Sequence, residues 1–372
     1  MSAPDPVIKD GVAYVLYAYD VGLSIALDAA EKRVKSMTER TPIKHQRRAP
    51  KYFDIQPIPL RVTQVSTPHV FGRFTTSPAV ETVLYDFGAV CVTYQIPLTG
   101  PFSDLLKLSE DLYDNEILLA DSRRLVEELL DGIESAVARP LISGFYEDYV
   151  IFQIRELEGG PDAPRRLLAG SRTLLAQVLR ADDELRSEQE VQDALLCEIS
   201  YGADDVTLVD WVSSLIFAKT ADDTRAVLEF GQVQLLELRH LDHQLDASLD
   251  RCYEALSRTT EKRFVLPAAG GDEIREIGRL QVESAVLFEG INNALKLLGD
   301  QYLARVYEQV AQRYHLDAWD ESILRKLRTL DSIYTKIEDA HSSARLEFLE
   351  WIVIVLIGLE LIVPFLVKHF LG

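Results

Sequence analysis

The residues whose spacing could support chemistry are two Glu-x-x-His units, Glu237 with His240 and Glu338 with His341. A spacing of three places the carboxylate and the imidazole of each unit on one face of a helix. Two such units on separate helices, with carboxylates from further helices, can enclose two iron or manganese ions. Such pairs also arise by chance in Glu-rich helices, and His341 already fits a heptad pattern. We therefore expect no metal and no cofactor, and we keep these four residues as the alternative.

Linear motifs for other chemistry are absent from the sequence. It contains no Gly-x-Gly-x-x-Gly or Walker-type loop and no Gly-x-Ser-x-Gly elbow. Gly270 and Gly271 precede a predicted helix and could expose amide donors to an anion, but ordinary helix starts have the same form. These observations favour a protein that is not an enzyme. The alternative is a membrane-bound enzyme, or a nucleotide- or metal-dependent regulator, whose site forms only from residues distant in the sequence.

The charge distribution narrows the set of partners. The chain of 372 residues has a formal net charge of −20, which disfavours nonspecific binding to nucleic acid, and we expect no direct DNA binding. One basic segment runs against this trend. This segment is either a solvated loop after a helix or a docking patch for lipid head groups, RNA phosphate or an acidic partner. Its residues are Arg40, Lys44, Arg47, Arg48 and Lys51.

The elements that must position these residues change character along the chain. The first 160 residues mix apolar runs of strand type with amphipathic helical stretches, which predicts a β-sheet with helices. Within Val80–Ile96, two β-rich runs flank Gly88, which predicts a hairpin with a positive φ at that glycine. The other predicted elements of this part are strands at Val12–Tyr19 and Tyr146–Leu157 and helices at Leu23–Met37 and Asp114–Ala138.

Helical patterns dominate the second half of the chain. Before them, Ala194–Phe217 is predicted to form strands. Ala221–Arg258 is predicted to form one long amphipathic helix, because its leucines recur at spacings of three, four or seven. Further on, Ile323 and Leu330 share one heptad position and Leu327 occupies the other. This seam predicts coiled-coil packing and a homo-oligomer.

The C-terminal run Trp351–Val367 is apolar except for one charge. At about 1.5 Å per helical residue it covers roughly 25 Å, close to a hydrocarbon core of about 30 Å. We therefore predict a single-pass transmembrane helix that ties a cytoplasmic N-terminal body to the inner membrane and its lipid. Glu360 is expected to face another protein helix, because an ionised carboxylate is costly in lipid. The residues assigned to insertion and self-association are Trp351, Gly358, Glu360, Pro364 and Lys368.

Two segments carry a family resemblance. One is Arg345–Val363, with Arg345, Leu346, Glu350, Trp351 and Glu360; the other is Leu84–Pro97, with its Asp-Phe-Gly-Ala-Val run. Both resemble the domain-of-unknown-function 155 family, also called the sporulation or required-for-meiotic-nuclear-division family. The resemblance implies a prokaryotic relative of proteins that sit in the mitochondrial inner membrane and support translation there by holding ribosomes.

Together these patterns predict an α+β fold: an N-terminal mixed domain with a β-sheet, then long coiled-coil-like helices and a C-terminal transmembrane helix. The predicted divisions are an α+β domain at 1–160, a mixed connecting region at 161–219, a helical hairpin or coiled-coil region at 220–349 and a transmembrane helix at 350–370. The predicted function is a non-enzymatic, membrane-anchored scaffold or adaptor that oligomerises through its C-terminal helices. Its expected partner is a cytoplasmic protein, for which the resemblance indicates the ribosome.

Overall fold

A nine-stranded mixed β-sheet organises the part of the chain that precedes its longest helix. The computed structural model describes residues 5–38, 44–45, 57–160, 162–185, 187–202, 205–261, 278–279, 282, 284–285, 288–289, 301–336, 350 and 354. The strands are β1 (Val7–Asp20), β2 (Ser24–Ile25), β3 (Lys44–His45), β4 (Leu60–Val65), β5 (Val70–Phe71), β6 (Phe74–Thr75), β7 (Ala79–Leu84), β8 (Ala89–Pro101), β9 (Val137–Ala138), β10 (Tyr146–Leu157), β11 (Cys197–Ile199), β12 (Val206–Val209) and β13 (Ser213–Phe217). The helices are α1 (Leu27–Thr38), α2 (Asp104–Leu112), α3 (Glu116–Ile133), α4 (Ala163–Gly170), α5 (Arg172–Arg180), α6 (Glu188–Ala194), α7 (Asp222–Glu261) and α8 (Gln301–Arg313). A turn at residues 314–315 follows α8, and residues 316–336 are helical again.

Strand β1 lies inside the sheet, whose order is β11-β12-β13-β10-β1-β8-β7-β4-β3. It pairs antiparallel with β8 on one side and with β10 on the other, so that Tyr14 lies opposite Gln95 and Ile151. The β10–β13 pair is parallel, with Val150 opposite Ser213. A parallel pair needs a long crossover connection, and α4, α5 and α6 lie within it.

Helices cover both faces of this sheet. Val15 of β1 belongs to a core that also contains Leu105 of α2 and Leu125 of α3. On the opposite face, the guanidinium of Arg225 in α7 lies 4.6 Å from the ring centroid of Tyr14. A strand covered on both faces is apolar along its length instead of alternating. The continuous apolar run therefore predicted β1 correctly.

The β7–β8 hairpin confirms the predicted turn. Gly88 has a φ of +103°, in the region that favours glycine. The turn packs against the loop that follows β1, because Val21 N donates a hydrogen bond to the carbonyl oxygen of Gly88 at 2.9 Å. It also lies next to Asp20, the last residue of β1, which pairs with Ala89.

The chain divides into two compact units. The first combines Met1–His240 with Leu287–Asp320 and contains the sheet, α1 to α6, the first part of α7, and α8. The second combines Leu241–Val286 with Glu321–Gly372.

The described part of the second unit is helical. The Nζ atom of Lys326 lies 2.8 Å from Oδ1 of Asp242 and 2.6 Å from Oδ1 of Asp246, one turn apart on α7. Ile323 and Leu330, the residues of the predicted seam, are buried. Packing along that seam and ion pairs beside it hold the second part of α7 and the helix at residues 321–336 together.

The predicted fold class needs one correction. No helix within the described ranges is both long enough and apolar enough to cross a bilayer. The longest, α7, has 40 residues but carries acidic and basic side chains along its length. The run Trp351–Val367 lies, except for Ile354, outside the described residues. The predicted transmembrane helix, and with it the localisation as a single-pass inner-membrane protein, is therefore withdrawn.

Candidate functional site

Glu237 and His240, the first predicted metal-binding pair, lie on α7 beside the end of β1. The side chain of Glu237 is fully buried, and neither carboxylate oxygen has a hydrogen-bond partner. The Nε2 atom of His240 lies 3.7 Å from Oδ1 of Asp20, and its Nδ1 atom lies 3.3 Å from Oγ of Ser143. The structure thus adds two residues to the pair. Spacing could not reveal them, because Ser143 is 97 residues away from His240.

The surroundings of Asp20 and Glu237 oppose negative charge. Burial raises the pKa of Asp20 to about 7. Burial in the first place, and the charge of Asp20 in the second, raise the pKa of Glu237 well above its ordinary value. A buried carboxyl without a hydrogen-bond donor is far more stable when neutral. The surroundings of Glu237 therefore favour its protonated form.

The described residues around Glu237 and His240 do not form a metal-binding site. Among the residues that the structure describes, no group of three or more His, Cys, Asp or Glu side chains could hold a metal ion. Glu338 and His341, the second half of the di-metal pattern, lie outside those residues. The di-metal alternative thus gains no support from Glu237 and His240.

The contacts run from Ser143 to His240 and from His240 to Asp20, which is the arrangement of nucleophile, base and acid in a catalytic triad. The distances do not favour that chemistry. The 3.7 Å between His240 and Asp20 exceeds a hydrogen bond, and the buried Oγ of Ser143 accepts a hydrogen bond from Phe145 N at 3.0 Å. The hydroxyl therefore holds the backbone of its own loop and orients the imidazole. It is not presented as an open nucleophile.

A second, partly buried cluster ties α7 to β4 and β7. Oε1 of Glu81 accepts a hydrogen bond from Arg61 at 2.8 Å, and Oε2 accepts one from Arg225 at 2.9 Å. Burial acts to raise the pKa of Glu81, but the charges of Arg225 and Arg61 outweigh it and hold that pKa below its ordinary value. Tyr85 donates to Oε1 of Glu229 at 3.0 Å. These charges are compensated within the fold, so we assign the cluster a structural role.

A third cluster surrounds Asp210 at the turn between β12 and β13. Its side chain is fully buried. Oδ2 accepts a hydrogen bond from Nε of Arg180 at 2.9 Å, and Oδ1 accepts one from Nε of Arg313 at 2.6 Å. Oδ1 also accepts the backbone N–H of Trp211 at 2.8 Å. One carboxylate thus joins α5, α8 and the turn, and fixes the position of Trp211.

Large apolar side chains are exposed at the same edge of the sheet. Leu196, just before β11, is 64% exposed; Tyr201, just after it, is 77% exposed; and Trp211 is 44% exposed. The pairing of Cys197 with Val209 brings the start of β11 close to Trp211. We call Leu196, Tyr201 and Trp211, with β11 between them, the β11 surface. Sequence patterning gave no sign of it, because exposure of single apolar residues depends on tertiary packing.

Most of the remaining predicted site residues lie outside the residues that the structure describes. Lys44 lies in β3, opposite Thr63 of β4. The other residues of the basic patch and the residues of the C-terminal run lie outside the described residues; they are Arg40, Arg47, Arg48, Lys51, Trp351, Gly358, Glu360, Pro364 and Lys368. The docking patch and the self-association residues therefore stay predictions.

Comparison with known proteins corrects the family resemblance. The family model described as "Uncharacterized protein MJ0711, N-terminal domain" matches residues 10–224. "Uncharacterized protein MJ0711" of Methanocaldococcus jannaschii is 25% identical over 244 residues, which cover 64% of this chain and 72% of that protein. No solved structure matches the chain.

The match and the fold agree in extent. Residues 10–224 begin in β1 and end at the start of α7, so they span nearly the whole nine-stranded sheet. The domain-of-unknown-function 155 resemblance rested on two short segments, and it is wrong. The chain belongs to the family of the MJ0711 N-terminal domain.

Proposed function

We propose that this chain is a non-catalytic binding protein that docks an extended segment of a partner protein on the β11 surface. The observation that carries the proposal is the exposure of Leu196, Tyr201 and Trp211 around an edge strand. Edge strands present unpaired backbone N–H and C=O groups, which a segment of another protein can pair with. Tyrosine and tryptophan are enriched where protein partners bind.

The aromatic side chains of this surface are held in place before any partner arrives. The ring of Trp211 lies 5.8 Å from that of Tyr314 and 5.7 Å from that of His315, between centroids. The ring of Tyr201 lies 5.3 Å from that of Tyr302 in an edge-on arrangement. Ordering side chains on binding costs about 0.5–1.5 kcal/mol each, so a preformed anchor binds more tightly than a mobile one.

The compensated charges elsewhere in the first unit support a binding role over a catalytic one. Glu81 and Asp210 each accept hydrogen bonds from two arginines. Such networks hold elements together, and these two carboxylates are already paired with arginines. Self-association through the C-terminal helices remains a second part of the proposal. In the second unit, Leu327 and Tyr334 are only half-buried and are available to a second copy.

A photocrosslinking experiment tests the β11 surface. All three cysteines are buried, so a cysteine introduced at the surface can be labelled selectively. We expect the full-length Tyr201→Cys variant, labelled with benzophenone maleimide, to give a discrete crosslinked product in an extract of its native cells. Excess unlabelled wild-type protein should remove the product by competition. Excess Trp211→Ala protein should not, because it lacks the anchor.

The matched control is Leu141→Cys, at a residue that is 74% exposed in the first unit and away from β11. It should give no product that the wild-type protein competes away. Equal products from both positions, or full competition by Trp211→Ala, would contradict a docking role for the β11 surface. A product with the mass of two copies would reassign the surface to self-association and also count against the proposal.

A further inference from the structure

Two carboxyl groups share a buried place where α7 meets the end of β1. Asp20 is buried, and Glu237 is fully buried with both oxygens unpartnered. Glu237 lies one helical turn before His240 on α7, and the Nε2 atom of His240 lies 3.7 Å from Oδ1 of Asp20, so both carboxyl groups lie where α7 meets the end of β1. A buried acid without a donor is costly to ionise, so the protonated acid is favoured at this place.

Two arginines on the surrounding elements do not compensate these carboxyl groups. Arg239 of α7 forms an ion pair with Glu147 of β10, and Arg123 of α3 donates to the carbonyl oxygen of Ser143 at 3.4 Å. The imidazole of His240 on α7 lies 3.7 Å from Asp20. The β7–β8 turn, which carries Asp86, packs against the loop after β1 through the hydrogen bond from Val21 N to the carbonyl oxygen of Gly88. The two arginines are thus directed to other acceptors.

We infer that Asp20 and Glu237 form a proton-binding site that locks α7 onto the end of β1, and that loss of the proton weakens this contact. The proton removes the repulsion between two carboxylates and the cost of burying charge without compensation. The bound species is the proton itself. This inference is independent of the β11 surface, which lies at the far edge of the sheet.

The direction of the pH dependence follows from the two groups. Burial raises the pKa of both acids, that of Asp20 to about 7 and that of Glu237 well above its ordinary value. The folded state therefore holds protons that the unfolded chain releases above its ordinary carboxyl pKa values of about 4. Since the folded state binds more protons, stability falls as pH rises from about 4 through 7 and beyond. Most paired carboxylates have the opposite effect.

Infrared spectroscopy of the full-length protein in heavy water tests the site directly. At about pH 8 ordinary carboxyls are ionised, so we expect the wild type to retain a C=O stretching band of a protonated carboxyl. Glu237→Gln should lose this band, because the amide carries no acid proton. The matched control, Glu127→Gln on the exposed surface of α3, should keep it. No protonated-carboxyl band in the wild type, or an unchanged band in Glu237→Gln, would overturn the inference.

Thermal unfolding at two pH values tests the effect on the fold. Between about pH 5.5 and 8, the Tm of the wild type should fall more than that of Asp20→Asn/Glu237→Gln, by at least about 3 °C. The amides keep the shape of the neutral acids but cannot ionise, so the variant should be the more stable protein at the higher pH. Equal Tm changes in both proteins would overturn the locking role. The infrared measurement on the wild type still decides the proton site if the double variant does not fold.

Discussion

Asp210→Asn is expected to lower the free energy of unfolding by about 3–5 kcal/mol, since it removes the buried anion that Arg180 and Arg313 share. The carboxylate is fully buried and accepts hydrogen bonds from the Nε atoms of Arg180 and Arg313. The amide keeps the size of the side chain but replaces one acceptor by a donor that faces a guanidinium. Denaturant titration followed by circular dichroism measures the loss.

Asp193 provides a matched control for this prediction. Its carboxylate contacts the same two arginines, Arg180 and Arg313, but the side chain is 49% exposed. Solvent can replace these contacts, so Asp193→Asn should cost no more than about 1 kcal/mol. Equal losses in the two variants would show that burial of Asp210 does not set its contribution. A loss below about 1 kcal/mol for Asp210→Asn would contradict the prediction outright.

Gly88→Ala should destabilise the fold by more than about 4 kcal/mol, because a methyl group has no room at this turn. A Cβ atom at Gly88 would lie 1.8 Å from the carbonyl oxygen of Gly22, and the φ of +103° is strained for any L side chain. The turn would have to leave the loop after β1, next to Asp20. We expect low soluble yield, or a clear drop in the denaturant midpoint.

Gly72→Ala separates the clash from the backbone strain. Gly72 has a φ of +56°, but a Cβ atom there would meet nothing within 4 Å. Only the conformational preference is lost, so the expected cost is about 1 kcal/mol. If both variants lose the same amount, close packing at Gly88 is not the cause. Wild-type stability of Gly88→Ala would refute the prediction.

Local signals in the sequence were sufficient for most elements of the sheet. Tyr146–Leu157 was predicted with the observed bounds, and Ala194–Phe217 does contain three strands. The start of α3 was harder to predict. It is set by Asn115, whose side-chain amide oxygen accepts a hydrogen bond from Leu118 N. The family resemblance failed because short similar segments carry little weight beside a match over residues 10–224.

The candidate sites were harder to predict, because they depend on long-range contacts. Glu237 and His240 could be paired by helical spacing, yet Asp20 joins them from the other end of the first unit. Likewise, Arg313 reaches Asp210 across 103 residues. A single sequence gives the hydrophobic period of each helix or strand, but it does not show which charged side chains will contact each other. Burial of Glu237 without a donor could be recognised only in three dimensions.

The internal position of β1 has a consequence for synthesis on the ribosome. β1 ends at Asp20, and its partner β10 begins only at Tyr146. At roughly 5–20 residues per second, the nascent strand stays without that neighbour for about 6 to 25 s. During this time the backbone N–H and C=O groups on one edge of this apolar strand are available to other nascent chains or to a chaperone. Truncated products that stop before Tyr146 should therefore aggregate, whereas those that extend past Leu157 have both neighbours of β1.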